Sequence, residues 1–291
     1  MTFILVDTAN TFFRARHVIR GDADIKLGMA LHITFNSIKK AWQDFNGKHV
    51  VFCLEGRSWR KDYYKPYKAT RAEARAALTA KEQAEDQLFW ETFDSFKDFI
   101  IEKTNCTVLQ NPKLEADDLI AGFIQSHPND DHIIISTDSD FYQLLAPNVK
   151  QYNGVTEETH TIEGIFDKKG KLVKDKKTGE AKAVPDPEWM LFEKCMRGDT
   201  SDNVFSAYPN VRTKGTKNKV GLLEAFGDRN SKGWSWNNLM LQRWTDHEGK
   251  EHRVLDDYER NRRLIDLAHQ PDNIKEIIST TIAEATSADK N

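Results

Sequence analysis

The sequence predicts an α/β protein in which a mostly parallel sheet is flanked by helices. Along the first half of the chain, short apolar runs typical of buried strands alternate with longer stretches whose apolar residues recur at helical spacing. Strands separated by helices generally pair in parallel, because each crossover helix returns the chain to the same edge of the sheet. After Asn153 this alternation ends, and the last third of the chain is predicted to be mainly helical.

Each predicted element rests on one of these two patterns. Buried strands are expected at 2–7, 49–54, 106–110 and 132–138. Helices are expected at 27–46, 83–104, 116–127, 216–227, 256–269 and 272–285, and a further helix is expected to follow Pro185 and Pro187 and to run to about Arg197. Residues 164–182 contain three glycines among many lysines and are expected to form a hairpin or a mobile loop.

The composition limits the class of protein. A chain of 291 residues suits one large domain or two unequal ones, and 39% hydrophobic with 30% charged residues is typical of a soluble globular protein. No apolar stretch approaches the roughly 18 residues that cross a membrane, so no membrane partner is expected. The three cysteines form no CxxC pair, so neither disulfides nor zinc are expected, and a reducing cytoplasm is the expected compartment.

The net charge of −3 conceals a separation of bases from acids along the chain. Between residues 57 and 81, eight basic side chains face only two acids, Asp62 and Glu73. The eight are Arg57, Arg60, Lys61, Lys65, Lys68, Arg71, Arg75 and Lys81. Because binding to nucleic acid follows the local field, the acidic total does not argue against a nucleic-acid partner.

Carboxylates recur at the edges of the predicted strands and at the start of one helix. They are Asp7, Glu55, Glu115, Asp117, Asp118, Asp138 and Asp140. Side chains at the carboxyl ends of strands in an open α/β sheet tend to meet in one crevice. So many anions would repel one another unless hard divalent cations lay between them, so the sequence predicts a magnesium site, with two metal ions.

Some of these acids also have a structural explanation. Acids in the first turn of a helix are stabilised by the helix dipole, by about 0.3–1 kcal/mol each, which accounts for one or two of the three at 115–118. Asp138 and Asp140 are ordinary loop residues when taken alone. Asp199 and Asp202 either share one face of a helical turn and hold a cation, or belong to a turn after Gly198.

Two basic stretches predict contacts with nucleic acid. Residues 59–71 interleave cations with aromatic rings, which suits phosphate neutralisation and stacking on unpaired bases. The alternative is a solvated face with aromatic anchors in the core. Residues 212–219 form a basic loop that enters a predicted helix, a suitable seat for duplex phosphates, and Thr216 there also suits an ordinary helix N-cap.

The order of these motifs resembles the flap endonuclease and 5′-3′ exonuclease family, most closely its bacteriophage branch with the phage RNase H-type 5′ nucleases. The resemblance covers about residues 2–227. It implies a PIN-like nuclease domain at 1–190, with a helical arch at about 57–95 and an insert at about 154–187. It also implies a helix–three-turn–helix region that binds DNA at 191–291.

The resemblance also assigns residues to roles. It implies a first metal ion held by Asp7, Glu115, Asp117 and Asp118 with Glu55, and a second held by Asp138, Asp140, Asp199 and Asp202. The implied catalytic residues are Lys68, Arg71, Asp7, Asp117 and Asp138. The implied DNA-binding residues are Arg57, Arg60, Lys61, Lys65, Tyr67, Lys68, Arg71, Arg212, Lys214, Lys217 and Lys219.

The chain departs from the family pattern at two places. Glu55 stands where the family usually has Asp, so its longer side chain is expected to reach the metal through water. Where the family has a Gly-hydrophobic-Gly hairpin, residues 208–215 read Tyr-Pro-Asn-Val-Arg-Thr-Lys-Gly, and lysines are expected to grip the phosphates instead. Because this hairpin is missing, a backbone-bound K⁺ is the weaker expectation. The expected cofactor is Mg²⁺, for which Mn²⁺ can substitute.

The resemblance implies a structure-specific 5′ nuclease that uses two metal ions on DNA with 5′ ends, flaps or RNA–DNA junctions. A role in phage DNA replication or RNA primer removal is expected, in the cytoplasm of an infected bacterial host, as a monomer and with a replication protein as a possible partner. One alternative is a PIN-domain protein that acts on RNA or binds nucleic acid without catalysis. A two-aspartate phosphatase would need a DxD motif after the first strand, where the chain has Asp7-Thr8-Ala9.

Overall fold

The structure is a computed structural model that describes residues 1–18 and 23–287. Contacts between Cα atoms divide the chain into two compact units. Of the described residues, the first comprises 1–18, 23–59, 74–184 and 272–287, and the second comprises 60–73 and 185–271. The predicted boundary between a nuclease domain at 1–190 and a DNA-binding region at 191–291 stays a prediction.

A seven-stranded sheet forms the centre of the first unit. Its strands are β1 (Thr2–Asp7), β2 (His49–Leu54), β3 (Thr107–Gln110), β4 (Asp131–Ile135), β5 (Val149–Asn153), β6 (Glu158–Thr161) and β7 (Gly164–Phe166). The order across the sheet is β3-β2-β1-β4-β5-β6-β7. The first five in this order are parallel, and β6 and β7 are each antiparallel to the strand before, which confirms the predicted mostly parallel sheet.

Helices surround this sheet and form most of the second unit. In chain order within the described residues they are α1 (Thr8–Val18), α2 (Ala23–Asp44), α3 (Arg60–Tyr63), α4 (Ala69–Ala76), α5 (Ala80–Lys103), α6 (Ala116–Ser126), α7 (Pro187–Arg197), α8 (Leu222–Gly227), α9 (Trp234–Met240), α10 (Val254–Ile265) and α11 (Asp272–Ser287). None of these helices is long and apolar enough to cross a membrane.

The core of the first unit follows from the alternation of side chains along β1. Ile4 and Val6 face one side of the sheet and pack in a cluster with residues of α2 and α5. Leu5 faces the other side and packs with Phe123 of α6 and Ile278 of α11. Because both faces are covered, the central strands are apolar at nearly every position, which is why they could be recognised in the sequence.

The second unit packs α7, α8, α9 and α10 around a core of its own, with Phe192, Met196 and Tyr258 among the buried residues. The predicted helix at 216–227 begins only at Leu222, so that prediction was wrong for its first half. Two short antiparallel strands, β8 (Arg243–Thr245) and β9 (Glu251–Arg253), also lie in a region predicted to be helical or left unassigned.

Candidate metal centre and nucleic-acid interface

The predicted carboxylates of the first unit lie at one edge of its sheet. Asp7 is the last residue of β1, Glu55 directly follows β2, and Asp138 follows β4 after two residues. These three strands are neighbours in the order β2-β1-β4 and run in parallel, so their carboxyl ends meet at the same edge.

The tightest group of acids lies at the start of α6. Glu115, Asp117 and Asp118 each offer an oxygen, and these oxygens all lie within 4.8 Å of one another. Among the side chains that the structure describes, no other group of three or more His, Cys, Asp or Glu meets this criterion. Glu115 is 3% exposed and Asp118 is fully buried, whereas Asp117 is half-buried. Buried carboxylates this close are costly without a cation between them.

Local hydrogen bonds fix the orientation of this group. Glu115 is the N-cap of α6, and its backbone N–H donates to Asp118 Oδ2 over 3.1 Å. The indole Nε1 of Trp59 donates to the same oxygen over 3.2 Å, and Ser58 Oγ donates to Glu115 Oε2 over 2.9 Å. Asp118 therefore also caps the helix, which is the structural role that the sequence left open for these acids.

Glu55 and Asp117 bind backbone amides of the first turn of α6. The N–H of Ala116 donates to Glu55 Oε2 over 3.4 Å, and the N–H of Asp118 donates to Asp117 Oδ1 over 2.7 Å. The glutamate side chain, one methylene longer than the aspartate usual in the family, thus spans from the end of β2 to the N-terminus of α6. Its contact with the metal through water stays a prediction.

Ser136 links Asp7 to the acids that follow β4. Its Oγ donates to Asp7 Oδ2 over 2.8 Å and accepts from the N–H of Asp138 over 3.1 Å. The N–H of Asp140 donates to Asp138 Oδ1 over 2.9 Å. Gln151 Nε2 on β5 donates to the carbonyl oxygens of Ser136 and Asp138 over 3.0 and 2.8 Å. Asp7, Asp138 and Asp140 therefore belong to one hydrogen-bonded chain.

The field at this edge is negative. Burial raises the pKa of the Cys53 thiol well above its usual range, and the nearby charges of Asp7 and Glu55 raise it further. The candidate ligands are all carboxylate oxygens, without Cys or His, a set that suits a hard cation such as Mg²⁺, Mn²⁺ or Ca²⁺ better than zinc.

In the second unit, three side chains that are predicted to bind DNA converge on one carboxylate. Asp202 accepts from Tyr67 Oη over 3.1 Å and from Arg71 over 2.7 Å, and its Oδ2 lies 3.7 Å from Lys68 Nζ. The backbone N–H of Lys68 donates to the carbonyl of Asp202 over 2.8 Å, and Asn203 Nδ2 donates to the carbonyl of Pro66 over 2.8 Å. The structure thus brings three of the predicted DNA-binding residues together around the carboxylate of Asp202.

Asp199 lies in a turn rather than on a helix. It pairs with Val204 in an isolated antiparallel bridge, so the structure has the turn after Gly198 and not the shared helical face, the two alternatives that the sequence left open. Its carboxylate accepts from Ser201 N and Oγ over 2.8 and 2.7 Å and lies 2.8 Å from Lys194 Nζ. Burial pushes the pKa of Asp199 up, but the bonds from Lys194 and Ser201 outweigh it and leave the pKa below its usual value.

Most of the predicted DNA-contacting cations are exposed. They are Arg57, Lys61, Lys65, Arg71, Arg212, Lys214, Lys217 and Lys219. Tyr67 is 4% exposed and Lys68 is half-buried. Arg60 is the exception, because it is 1% exposed and its Nε donates to the carbonyl of Leu264 over 2.7 Å. Its guanidinium joins α3 to the end of α10, so we do not include it in the proposed DNA interface.

The basic loop before α8 is tightly held. The N–H groups of Gly215 and Gly221 both donate to the carboxylate of Glu224, over 3.0 and 2.9 Å. Thr216 and Lys219 bond to each other through their backbones. The N-cap of α8 is Gly221, so the possible N-cap role of Thr216 is excluded. The loop therefore presents its lysines from a fixed backbone.

Sequence reasoning missed the residues that support the acids, namely Ser58, Ser136 and Gln151. Ser136 directly follows β4, so its position at the sheet edge could have indicated a role near the acids. Serine is common in loops, however, and the residue type alone does not distinguish it. Trp59 was predicted to belong to a stacking surface and is instead 6% exposed, with its indole on Asp118.

Comparisons with known proteins match this chain to a nuclease family and to individual nucleases and polymerases. A family described as 5′-3′ exonuclease, N-terminal resolvase-like domain, matches residues 2–176. Ribonuclease H of Enterobacteria phage T4 is 27% identical over 267 residues, which are 86% of this chain and 75% of that protein. DNA polymerase I of Rhizobium leguminosarum is 30% identical over 181 residues, but the chain spans only 15% of its length.

A solved structure shares the fold over nearly the whole chain. It is the flap endonuclease of bacteriophage T5, described as a pseudo-enzyme–product complex with DNA and metal ions. The TM-score is 0.63 at 18% identity, and the match covers 98% of this chain and 99% of the phage protein.

Proposed function

This chain belongs to the 5′-3′ exonuclease family, and on that premise we propose that it is a structure-specific 5′ nuclease dependent on divalent metal ions. It hydrolyses phosphodiester bonds in DNA near 5′ ends, flaps or RNA–DNA junctions. The observation that carries the proposal is the group of oxygens from Glu115, Asp117 and Asp118 within 4.8 Å of one another, in the same unit as Asp7 and Asp138.

The proposed resident metal is Mg²⁺, with Mn²⁺ able to replace it. The donors fit, because Mg²⁺ prefers carboxylate oxygens and the group contains no softer ligand. Asp7, Glu55, Glu115, Asp117, Asp118, Asp138 and Asp140 are the proposed ligands from the first unit, and Asp199 and Asp202 stay predicted ligands. Such ions, when bound, activate the attacking water and stabilise the departing oxygen of the phosphodiester.

Lys68 and Arg71 are the proposed phosphate-binding residues. Lys supplies a compact point charge and Arg a planar fork that can bind two phosphate oxygens. Both would offset the negative charge that grows on the phosphate in the transition state. Because Asp202 already accepts from Arg71 and pairs with Lys68, the phosphate would compete with this carboxylate for the two cations.

The substrate assignment draws on relatives of known activity. One is named ribonuclease H and another is a flap endonuclease solved with DNA, both from bacteriophages. We therefore propose phage DNA replication or RNA primer removal as the process, in the host cytoplasm, with the protein acting as a monomer. A replication protein is a further proposed partner, and K⁺ binding remains the weaker expectation.

The experiment is cleavage of a 5′-labelled flap DNA in the presence of Mg²⁺. We expect short products released from the 5′ end, leaving a 5′-phosphate and a 3′-hydroxyl, and no cleavage when EDTA replaces Mg²⁺. A matched substrate with RNA in the 5′ strand tests primer removal. Absence of Mg²⁺-dependent cleavage of both substrates would refute the proposed function.

A further inference from the structure

The insert after β5 carries two turns of nearly identical chemistry. Turn A reads Asp167-Lys168-Lys169-Gly170-Lys171, and turn B with its flanking lysine reads Lys174-Asp175-Lys176-Lys177. Each has three lysines against one aspartate, and all six lysines are exposed. Both turns belong to the first unit, and neither has a role in the site described above.

Both turns have a preformed backbone. In turn A, Asp167 Oδ1 accepts from the N–H groups of Lys169 and Lys171 over 2.8 and 2.9 Å, and the N–H of Gly170 donates to the carbonyl of Asp167. In turn B, Asp175 Oδ1 accepts from the N–H of Lys177 over 2.7 Å. These bonds use backbone amides, so the lysine side chains are displayed by an ordered turn and do not hold it together.

The sheet topology places turn A at the edge where the metal-binding acids lie. The strand β7 is antiparallel to β6, and β6 is antiparallel to β5, so β7 runs in the same direction as β1 and β4. Turn A directly follows Phe166, the last residue of β7, and therefore projects from the carboxyl edge. Residues 172–174 then run back, since Leu172 bridges Phe166 in antiparallel fashion, and turn B lies toward the opposite edge.

The spacing suits a nucleic acid that already occupies the metal site. Three strand intervals separate β4 from β7, which is about 14 Å along the sheet edge at about 4.8 Å per interval. Duplex DNA rises about 3.4 Å per base pair, so this distance equals about four base-pair steps. Turn B is displaced by a further three-residue segment, about 10 Å at the strand rise.

We propose that turn A is a contact for the sugar-phosphate backbone of the DNA substrate, separate from the predicted arch and the basic loop before α8. The proposal rests on the proposed nuclease function for the class of substrate. Lys168, Lys169 and Lys171 act as point charges on phosphates, and Asp167 holds the backbone that presents them. Lys168 also lies 3.0 Å from Glu157, so the other two lysines carry most of the available charge.

The chemistry of turn A favours DNA over a protein partner. Residues 167–171 contain no apolar side chain, whereas protein interfaces usually bury an apolar centre. The turn also lacks aromatic rings and arginines, so stacking and base readout are not expected of it. What remains is sequence-independent attraction to phosphates, which depends strongly on salt.

The test compares two triple variants that each remove three lysines. In one they lie at the acidic edge of the sheet, and in the other they lie toward the opposite edge. One carries Lys168→Ala, Lys169→Ala and Lys171→Ala, and the matched control carries Lys174→Ala, Lys176→Ala and Lys177→Ala. The Kd for a 5′-flap DNA is measured by fluorescence anisotropy in Ca²⁺, over a series of salt concentrations. A third variant with arginine at the three turn A positions keeps the charge and reports on folding.

We expect the turn A alanine variant to bind roughly tenfold more weakly at about 0.1 M salt. The slope of log K against log salt should shrink by about 0.9 for each phosphate that the variant no longer neutralises. The turn B variant should bind like the wild type, and the arginine variant should keep its affinity. Unchanged binding by the turn A variant, or equal weakening in both alanine variants, would overturn the proposal.

Substrates with shortened arms identify which part of the DNA turn A binds. The defect should vanish when either the flap strand or one duplex arm is cut to fewer than about four nucleotides, and that arm is the one bound. A defect that persists with every arm shortened would contradict the proposal. Cleavage by the wild type in Mg²⁺ tests the proposed function separately, because the binding assay in Ca²⁺ does not depend on turnover.

Discussion

The substitution Asp117→Asn separates a metal-binding cluster from a merely helix-capping one by the sign of its effect on stability. The amide oxygen can still accept from the N–H of Asp118, a bond of 2.7 Å in the wild type, so the local structure is retained. The negative charge is removed. In the absence of metal, we expect the variant to be more stable than the wild type and to be inactive in cleavage.

The magnitude follows from the distances in the cluster. Asp117 offers an oxygen within 4.8 Å of oxygens from Glu115 and Asp118, and two unit charges at this distance repel by about 3.5 kcal/mol at an effective dielectric of about 20. Screening and the partial exposure of Asp117 weaken both repulsions. Removal of its charge should therefore stabilise the fold by about 1–2 kcal/mol. Loss of the favourable interaction with the helix dipole subtracts about 0.3–1 kcal/mol, so repulsion still dominates.

The assay is equilibrium urea unfolding of both proteins in EDTA and again in Mg²⁺. In EDTA the variant should unfold at higher urea concentration. In Mg²⁺ the order should reverse, because ligand binding stabilises the wild type by about 2.7 kcal/mol at a concentration of 100 Kd and the variant by less. A variant less stable than the wild type in EDTA, and equally stabilised by Mg²⁺, would show that these acids only cap α6.

Three further outcomes are expected. Asp138→Asn and Asp140→Asn should each abolish cleavage in Mg²⁺ while DNA binding in Ca²⁺ stays measurable, and wild-type turnover by either would refute their assignment as ligands. Lys68→Ala should lower the single-turnover rate at saturating DNA more than it raises Kd, whereas an unchanged rate would remove this residue from the chemistry. The hydrogen bond from His252 lowers the pKa of Asp246 from 3.8 to about 2, so this carboxylate stabilises the fold above pH 3.8 and ceases to do so as the pH falls through 2. The difference in unfolding free energy between wild type and Asp246→Asn should therefore shrink over that range, and a difference independent of pH would contradict it.

The sheet and its acidic edge could be predicted because their signals are local. A strand buried on both faces is apolar at almost every position, as in β1 and β2, and a carboxylate directly after such a run is placed at the sheet edge by the chain itself. The same reasoning located Asp7, Glu55 and Asp138 without any knowledge of the contacts between them. Helix α6 was found equally well, since its apolar face repeats at helical spacing.

Contacts between distant segments could not be predicted. Arg60 is buried because its guanidinium meets a carbonyl 204 residues further along the chain, and nothing in the surrounding basic run distinguishes it from its exposed neighbours. The late start of α8 has a similar cause. Glu224 binds the amides of both Gly215 and Gly221, which favours a closed loop over the helix that residue propensities suggested.

Turn A shows a third limit of sequence reasoning. Its composition was visible, and the insert was predicted to be a hairpin or a loop. Its position at the acidic edge depends on the directions of β5, β6 and β7, which follow from pairing and not from any one segment. The turn and the acids at the same edge are therefore related only through the topology of the sheet.

Isothermal titration calorimetry with Mg²⁺ tests the central claim most directly, because it needs neither DNA nor turnover. The wild type should bind Mg²⁺ saturably, and Asp117→Asn and Asp138→Asn should each weaken that binding. Wild-type protein that binds no Mg²⁺, or variants that bind it as well as the wild type, would contradict the assignment of these carboxylates as a metal centre.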